Sequence, residues 1–429
     1  MAVLKKVFGD VEVTKDLLLL LTVGALYSLA ISLSNTFVNV YLWKQSGQFL
    51  DLALYNLAIV IFHPLTFVVA GKLAKKVDRV IVLRLGVSFL AVFYITVLLV
   101  GNNASSLLLL LGALLGIGYG FYWLAFDVLT FEITEPETRD FFNGFMGILN
   151  SFAGMIGPIV AGLIISSFIK MTGYKIIFFT SLFLFLSAVV LSFFLKRREA
   201  EGKYRFKEVL AERKKNRNWR LILYAHLFQG IREGTFIFII SVLVFITTNS
   251  ELALGTFGLV NSAVAFVGYY LASRFIKKKH RYKSILAGGL LLYASVFLII
   301  FKVTYVKLLC YAVCIAIGYP LLLVPYMSIT FDVIGRAEGI KEKRIEFIVV
   351  RDVFLNMGRI ISILLFMGAI TFFDEKQSVP ILLAIIGVGH ATIYFFVRHV
   401  SLKPLEKIKE EEPSISKKTL NEGDGESPA

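Results

Sequence analysis

Two short stretches place ionisable side chains inside long apolar runs. The first reads Gln229-Gly-Ile-Arg232-Glu233-Gly234, and the second contains Arg351-Asp352 followed by Asn356-Met-Gly358-Arg359. A charged side chain at the centre of a membrane helix costs about 2.5–3.5 kcal/mol on insertion scales. Such groups persist where they face a partner or a wet cavity. Both stretches are therefore candidates for a site that binds a solute or an ion.

The chemistry expected of these residues follows from their types. Arginine keeps its charge at low dielectric and binds a carboxylate or phosphate with two hydrogen bonds, so we predict Arg232 and Arg359 as binding groups for an anionic solute. We predict Glu233 and Asp352 as the proton-coupling residues, because the protonation of a buried carboxylate responds to neighbouring charges. The alternative interpretation is that these residues form structural ion pairs.

Polar and aromatic side chains elsewhere extend the candidate site. Asn35 and Asn39 share one face of a helix and are able to hydrogen-bond a solute, although asparagines also join membrane helices to one another. Tyr119, Trp123 and Tyr319 offer rings for stacking. Packing is the alternative for these aromatic residues, since aromatics make up 14% of the chain.

The elements that must position these residues are twelve apolar runs. The chain has 429 residues, a mean hydropathy of +0.76 and only 17% charged residues. Runs of about 20 apolar residues predict spanning helices, which satisfy their own backbone hydrogen bonds in lipid. The predicted spans are Leu17–Leu42, Leu52–Ala70, Val80–Val100, Ser106–Val128, Phe142–Phe168, Ile176–Leu195, Leu221–Ile246, Leu252–Tyr270, Ser284–Phe301, Val306–Ser328, Phe347–Phe372 and Pro380–Val397.

The basic residues that give the net charge of +15 are spread unevenly between the two predicted sides of the membrane. Most of the 45 Lys and Arg residues fall in segments that twelve spans place on one side. This is the positive-inside pattern, which predicts cytoplasmic termini and removes the reason to expect nucleic acid as a partner. The many Lys residues and the two cysteines are typical of a bacterial inner membrane, so we expect a multi-pass protein of the cell membrane.

An internal repeat organises the spans. Residues 118–133 (GYGFYWLAFDVLTFEI) match residues 318–333 (GYPLLLVPYMSITFDV) at a constant separation of 200 positions. A basic turn beginning at Gly71 has a counterpart beginning at Gly268. Two matches in the same order predict a duplication of six spans, with the binding site between the halves.

The repeat sets the expected domain boundaries. We predict an N-terminal six-helix bundle over residues 1–195, a basic cytoplasmic linker over 196–220, a C-terminal bundle over 221–397 and a disordered cytoplasmic tail over 398–429. Phe206, Val209 and Leu210 predict a short amphipathic helix within the linker. We expect that helix to lie along the charged membrane surface.

Two local motifs resemble the major facilitator superfamily, as does the layout of two six-helix halves. The stretch Gly71-Lys-Leu-Ala-Lys75-Lys-Val-Asp78-Arg79 looks like that family's loop between its second and third helices, and Gly157-Pro158 is similar to a motif of its antiporter branch. The resemblance implies that Gly71, Lys75, Asp78, Arg79, Gly157 and Pro158 act in gating. It also implies a cavity lined by the first, fourth, seventh and tenth spans. The family usually has Asp where this chain has Lys75.

The resemblance implies a permease that works by alternating access. We therefore predict a secondary transporter for a small, anionic solute, coupled to a proton or another ion. A lipid translocase and a transporter-like sensor or scaffold are the alternatives. The sequence contains no phosphate-binding Walker loop and no zinc-binding histidine pair, so we expect neither an enzyme nor a cofactor or metal. The expected partners are the solute and membrane lipids, with the protein as a monomer.

Overall fold

Helices account for the described architecture. The computed structural model describes residues 14–133, 136–169, 171–197 and 202–401. Its α-helices are α1 Lys15–Ser46, α2 Phe49–Lys76, α3 Arg79–Val100, α4 Leu108–Ile133, α5 Pro136–Ser167, α6 Thr172–Ser192, α7 Phe206–Glu212, α8 Arg217–Thr248, α9 Glu251–Phe275, α10 Arg281–Ile300, α11 Tyr305–Ile334, α12 Ile340–Phe372, α13 Glu375–Gly387 and α14 Gly389–Val397. Within these ranges, twelve segments are long and apolar enough to cross a membrane, with α13 and α14 forming the last. The predicted all-α fold with twelve spans is confirmed.

Short turns at equivalent places connect the first two spans of each half. Gly47 ends α1 in the left-handed region at φ 64°, and only Gln48 separates it from α2. Asn249 ends α8 in the same region at φ 50°, and Ser250 then caps α9 by accepting a hydrogen bond from the Ala253 amide. Glycine and asparagine adopt this backbone conformation most readily. The two turns therefore make α1 and α2, and likewise α8 and α9, antiparallel neighbours.

The structure shows the internal repeat as a repeated ion pair. Arg79 lies 2.9 Å from Glu132 in the first half, and Arg281 lies 2.8 Å from Asp332 in the second. Glu132 and Asp332 are the acidic residues that the 200-residue register aligns. Each arginine stands at the end of the basic turn that was matched between the halves. Both halves thus fix the same turn against the same helix end.

Three helix pairs connect the two bundles. Contacts between the halves run mainly through α2 with α12, α5 with α9 and α1 with α8. The α5–α9 contact is close, because a Cβ added at Gly255 would lie 2.5 Å from the carbonyl oxygen of Pro158. One end of the interface is the side that holds α7 and residue 401, since Asn218 donates to the Ser401 carbonyl. We call this the linker side and the other end the opposite side.

Helices α8 and α12 meet through two facing glycines. A Cβ added at Gly230 would lie 1.9 Å from the Leu355 carbonyl oxygen, and one at Gly358 would lie 2.0 Å from the Leu227 carbonyl oxygen. Glycines of this kind let membrane helices approach backbone to backbone. This contact sets the register between the two stretches that carry buried charge.

The last span differs from the uninterrupted helix that was predicted. It begins at Glu375 and is divided at Val388, where the amide bonds three residues back to Ile385 in place of four. Gly387 and Gly389 flank this point, and a Cβ at Gly389 would lie 2.5 Å from the Phe228 carbonyl oxygen. The interruption lets α14 pack closely on α8.

The linker helix was predicted from its apolar spacing, and the structure shows where its apolar face lies. Val209 in α7 is fully buried, and its carbonyl accepts a hydrogen bond from the Trp219 indole. Val209 shares a buried cluster with Phe347 and Val350 of α12. The helix therefore packs on the C-terminal bundle, and its position along the membrane surface stays a prediction. The predicted tail from residue 402 onward lies outside the described residues.

Replacing Gly358 with alanine should destabilise the protein, because the new methyl group has no space between α8 and α12. Overpacking of this kind costs about 1–3 kcal/mol. Thermal unfolding of the purified protein in detergent measures the effect. Gly368→Ala is the matched control on the same helix, since no atom lies within 4 Å of its added Cβ. Equal stability of the two variants would contradict the close contact.

Candidate functional site

A cavity of about 380 Å³ lies between the two bundles. We call it the central cavity. Its polar lining comes from α1, α8, α9 and α11, and apolar residues of both halves complete the wall. The polar side chains are Ser32, Asn35 and Thr36 of α1, Arg232 and Ser241 of α8, Asn261 and Ser262 of α9, and Tyr311 and Tyr319 of α11. Cavities of this size are typical of small-molecule sites.

Arg232 is the charged residue of the central cavity. It stands midway along α8, and only 3% of its surface is exposed. Its guanidinium donates to the hydroxyl oxygens of Tyr311 at 2.8 Å and Tyr319 at 3.2 Å, and it lies 4.0 Å from the ring centre of Phe236. Its Nε has no hydrogen-bond partner, and among the described residues no carboxylate lies within 4.0 Å of the guanidinium. The guanidinium therefore makes its close contacts with neutral side chains.

Glu233, the next residue, is directed to a different partner. One of its carboxylate oxygens accepts hydrogen bonds from Arg359 at 2.6 and 3.2 Å, and the other accepts from Gln229 at 2.9 Å. Arg359 also donates to Asn356 at 3.2 Å. The glycine contact between α8 and α12 brings this pair together, so the charge of Arg359 is compensated.

The hydrogen-bonded residues continue along α12 toward the N-terminal half. The Asn356 amide donates to the Asp352 carboxylate at 2.9 Å. The same carboxylate lies 3.7 Å from Nε2 of His63, which belongs to α2. The contact with His63 links the charged residues of the C-terminal bundle to the other half.

His390 is a buried group that the sequence did not single out. It is fully buried on α14, neither ring nitrogen has a hydrogen-bond partner, and Nε2 lies 3.9 Å from Glu233. Its ring packs edge-on against Tyr319. It follows Gly389 at the interruption of the last span, a place that apolar periodicity does not mark.

The remaining predicted binding residues lie in three different environments. Asn35 lines the central cavity and accepts a hydrogen bond from Tyr119 at 3.2 Å. Asn39 is bonded to Asn56 of α2 at 2.8 Å and thus joins two helices. Trp123 lines a second cavity nearer the linker side.

That second cavity, the linker-side cavity, also has a volume of about 380 Å³. Asp127 of α4 and Arg351 of α12 line it from opposite halves. Asp127 was not among the predicted site residues, although it is an acid within the apolar span Ser106–Val128. Applying the cost of buried charge to that span would have identified it.

Four of the predicted gating residues lie on the linker side. Lys75 donates to the Glu346 carboxylate at 2.5 Å and to the Glu342 carbonyl at 2.6 Å, so it ties α2 to α12. Gly71 leaves room for Tyr204 of the linker. Asp78 caps α3 by accepting from the Val80 amide, and Arg79 forms the ion pair of the repeat.

The linker chain completes this contact. The Arg205 amide donates to the Glu346 carboxylate at 2.8 Å, and Lys75 also donates to the Lys203 carbonyl at 3.4 Å. Burial, together with the Glu346 carboxylate, raises the pKa of Tyr204 above its usual value. Lys75, Glu346 and the linker backbone together form what we call the linker-side latch.

A second ion pair closes the opposite side. Lys44 of α1 lies 2.7 Å from Glu251 of α9, which also accepts a hydrogen bond from Tyr174 at 3.0 Å. We call this pair the opposite-side latch. The two other predicted gating residues lie near it on α5, where Gly157 packs against Ser32 of α1 and Pro158 packs against α9. Both ends of the interface are thus held by charge.

Comparison with known proteins identifies the family to which this chain belongs. The sequence matches the Major Facilitator Superfamily over residues 17–340. The chain belongs to this superfamily. It is 64% identical over 406 residues to the uncharacterized protein YqgE of Bacillus subtilis (strain 168), a match that covers 95% of this chain and 94% of that protein. An uncharacterized Geobacillus stearothermophilus protein from the sodM 3′ region is 68% identical over 178 residues, which are 42% of this chain and 83% of that protein.

Two solved structures of the superfamily have the same fold. The human organic anion transporter MFSD10 (TETRAN) superposes with a TM-score of 0.65 at 13% identity, covering 90% of this chain and all of that one. The E. coli fucose:proton symporter FucP superposes with a TM-score of 0.61 at 16% identity, covering 90% and 98%. These identities establish the fold alone. The protein is therefore a multi-pass membrane protein of a transporter superfamily.

Metal binding has no support in the described ranges, which contain no group of three or more His, Cys, Asp or Glu residues able to hold an ion. The two cysteines, Cys310 and Cys314, are free thiols on α11.

Glu233→Gln and Arg359→Gln should each destabilise the protein by about 3–5 kcal/mol, because each leaves a buried charge without its partner. The double variant removes both charges, so it should cost clearly less than the sum. Chemical unfolding of the native protein, the two single variants and the double variant measures the coupling free energy between Glu233 and Arg359. The same cycle on Arg281 and Asp332, which are more exposed, should give about 1 kcal/mol or less. Additive effects at Glu233 and Arg359 would contradict the pairing.

Proposed function

We propose that this protein is a secondary transporter that moves a small anionic solute across the membrane by alternating access. The observation that carries the proposal is Arg232, a buried guanidinium without a carboxylate partner in a cavity between the halves. An uncompensated charge in a spanning helix is costly and marks a solute pathway. A bound carboxylate or phosphate compensates it.

The groups around Arg232 suit a charged ligand. Tyr311 and Tyr319 hold the guanidinium in one orientation, and its buried Nε has no hydrogen-bond acceptor among the described residues. Asn35 provides a neutral polar group on the N-terminal half. A solute that contacts Arg232 and Asn35 together would connect the two bundles. Binding is thereby coupled to their relative position.

Proton coupling is proposed at the residues that link this site to the N-terminal half. A proton on His63 would convert its 3.7 Å contact with Asp352 into an ion pair and hold α2 against α12. Glu233 is the second proposed coupling residue, since it shares Arg359 with the hydrogen bonds that lead to Asp352. Loading and release of a proton would then change the attraction between the halves.

Gating is proposed at the two latches. The linker-side latch joins α2 and α12, and the opposite-side latch joins α1 and α9. Alternating access requires one latch to break while the other holds. Lys75 stands where the superfamily usually has Asp, and the partner here is Glu346. In this latch the basic residue therefore lies on α2 and the acidic residue on α12.

The remaining features of the proposal concern location and partners. The distribution of Lys and Arg supports a cell membrane protein whose linker side is cytoplasmic. We propose a monomer, with the solute and membrane lipids as partners. The cavity and its charges supply solute binding and require neither a cofactor nor enzymatic chemistry.

Replacing Arg232 with alanine should weaken binding of the anion at least tenfold and leave the protein folded. A thermal-shift screen of the native protein against organic carboxylates and sugar phosphates should yield a stabilising ligand, worth about 2.7 kcal/mol at a hundred times its Kd. Loss of hydrogen bonds to a charged group should weaken that affinity at least tenfold, from about 1.5–3 kcal/mol. Arg232→Lys should retain part of the binding.

Arg281→Ala is the matched control, because it removes an arginine of the same half that lies outside the central cavity. It should leave the anion-induced shift unchanged. Equal shifts in the native protein and Arg232→Ala would exclude this site. If no soluble anion stabilises the native protein, the proposal fails, and lipid translocation or a role without transport takes its place.

Breaking one latch should open only its own side. Lys75→Gln should lengthen the distance between spin labels at positions 76 and 338, and Glu251→Gln should lengthen the distance between positions 48 and 375. Pulsed electron resonance measures both distances in a protein whose Cys310 and Cys314 are replaced by serine. Each variant is the control for the other. Opening of both sides, or of neither, would contradict latching.

A further inference from the structure

The linker-side cavity carries charged groups that the proposed anion site does not use. It lies between α4 and α5 of one half and α11 and α12 of the other. Its volume of about 380 Å³ is within the range of small-molecule sites, roughly 300–1,000 Å³. Rings form much of its wall: Trp123, Phe126, Phe142 and Phe331. The shape and lining suit a solute with an apolar group of aromatic size.

Two opposite charges face this cavity without pairing. Asp127 comes from α4 in the N-terminal half, and Arg351 comes from α12 in the C-terminal half. Within the described parts of the chain, neither side chain forms a hydrogen bond or an ion pair. Both lie within membrane helices, where an unpaired charge is costly. The two charges thus line one cavity of ligand size and form no ion pair with each other.

Asn150 of α5, a neutral polar residue, also lines this cavity. The Asn150 carbonyl oxygen accepts a hydrogen bond from the Ser28 hydroxyl, which fixes the amide and leaves its nitrogen as a donor. A donor in the same cavity wall as Arg351 suits a carboxylate, which has several acceptor positions. The cavity therefore offers an acceptor for a cation and two donors for an anion.

We propose that the linker-side cavity binds a zwitterion of the amino-acid type with an aromatic or large apolar side group. Its ammonium would bind Asp127, its carboxylate would bind Arg351, and its side group would pack among the rings. A bare anion compensates only Arg351, and a bare amine compensates only Asp127. The zwitterion compensates both and, by bridging α4 and α12, connects the two halves.

The inference rests on the proposed transport function for its physiological meaning, and it specifies the substrate class. Arg232 in the central cavity and Arg351 in the linker-side cavity would receive the same carboxylate at different stages of transport. Asp127 adds the requirement for a positive charge. Binding itself is measurable without any assumption about transport.

Three compounds of nearly equal size separate the charges: L-phenylalanine, phenethylamine and 3-phenylpropionate. Isothermal titration of the purified native protein should give the tightest binding with phenylalanine. Asp127→Asn and Arg351→Gln should each weaken phenylalanine binding at least tenfold, as expected for a hydrogen-bonded charge. Asp127→Asn should bind phenylalanine no more tightly than phenylpropionate. Glu375→Gln and Arg274→Gln, two exposed positions, should leave all three affinities unchanged.

Asp127→Glu is the control that separates loss of the charge from loss of folding. It keeps the negative charge, so it should still bind the zwitterion more tightly than the amine or the acid. Failure of phenylalanine to bind the native protein would overturn the proposal, as would unchanged phenylalanine binding in Asp127→Asn. If Arg232→Ala reduces the anion-induced shift while Asp127→Asn has no effect, the transporter proposal stands and the zwitterion site fails. If Asp127→Asn weakens phenylalanine binding while Arg232→Ala leaves the anion-induced shift unchanged, the zwitterion site stands and the central anion site fails.

Discussion

The close contact of α8 with α12 at Gly230 and Gly358 determines that Arg359 is paired with a carboxylate while Arg232 is not. It brings Glu233 to Arg359, and that pairing withdraws the carboxylate from its neighbour Arg232. Tyrosine hydroxyls then hold Arg232 at the wall of the central cavity. A single backbone contact therefore separates a structural ion pair from a binding group, although the two arginines have the same chemistry.

The two halves share a framework but differ in charge. The ion pairs at Arg79 and Arg281 and the short turns after α1 and α8 keep the duplicated pattern. Along the membrane part of α1, by contrast, no charged residue stands where α8 has Arg232 and Glu233. The C-terminal half thus supplies the positive charge and most of its hydrogen bonds. The N-terminal half contributes His63, Asn35 and Asp127 at its surface.

The sequence predicted the elements well because apolar length is a local property. The twelve spans, the repeat and the helix in the linker all follow from spacing along the chain. The stretches around Arg232 and Arg359 were found because charge is conspicuous in an apolar run. Their partners were not predictable, since the pairing of Glu233 with Arg359 depends on helix register.

Other features were not predicted from the sequence, for related physical reasons. His390 and the interruption at Val388 depend on how closely α14 approaches α8, which periodicity does not encode. The buried position of Val209 depends on the C-terminal bundle that covers it. Asp127 is different, because its sequence position alone was sufficient to mark it as a costly charge.

Alternating access requires the central cavity to open in turn to each side of the membrane. The direct measurement is labelling of a single cysteine at position 261, in the wall of the central cavity, by an impermeant maleimide in right-side-out and inside-out vesicles. Labelling is expected from both sides, with Lys75→Gln and Glu251→Gln shifting the two rates in opposite directions. Labelling from one side only, in the native protein and in both variants, would contradict alternating access.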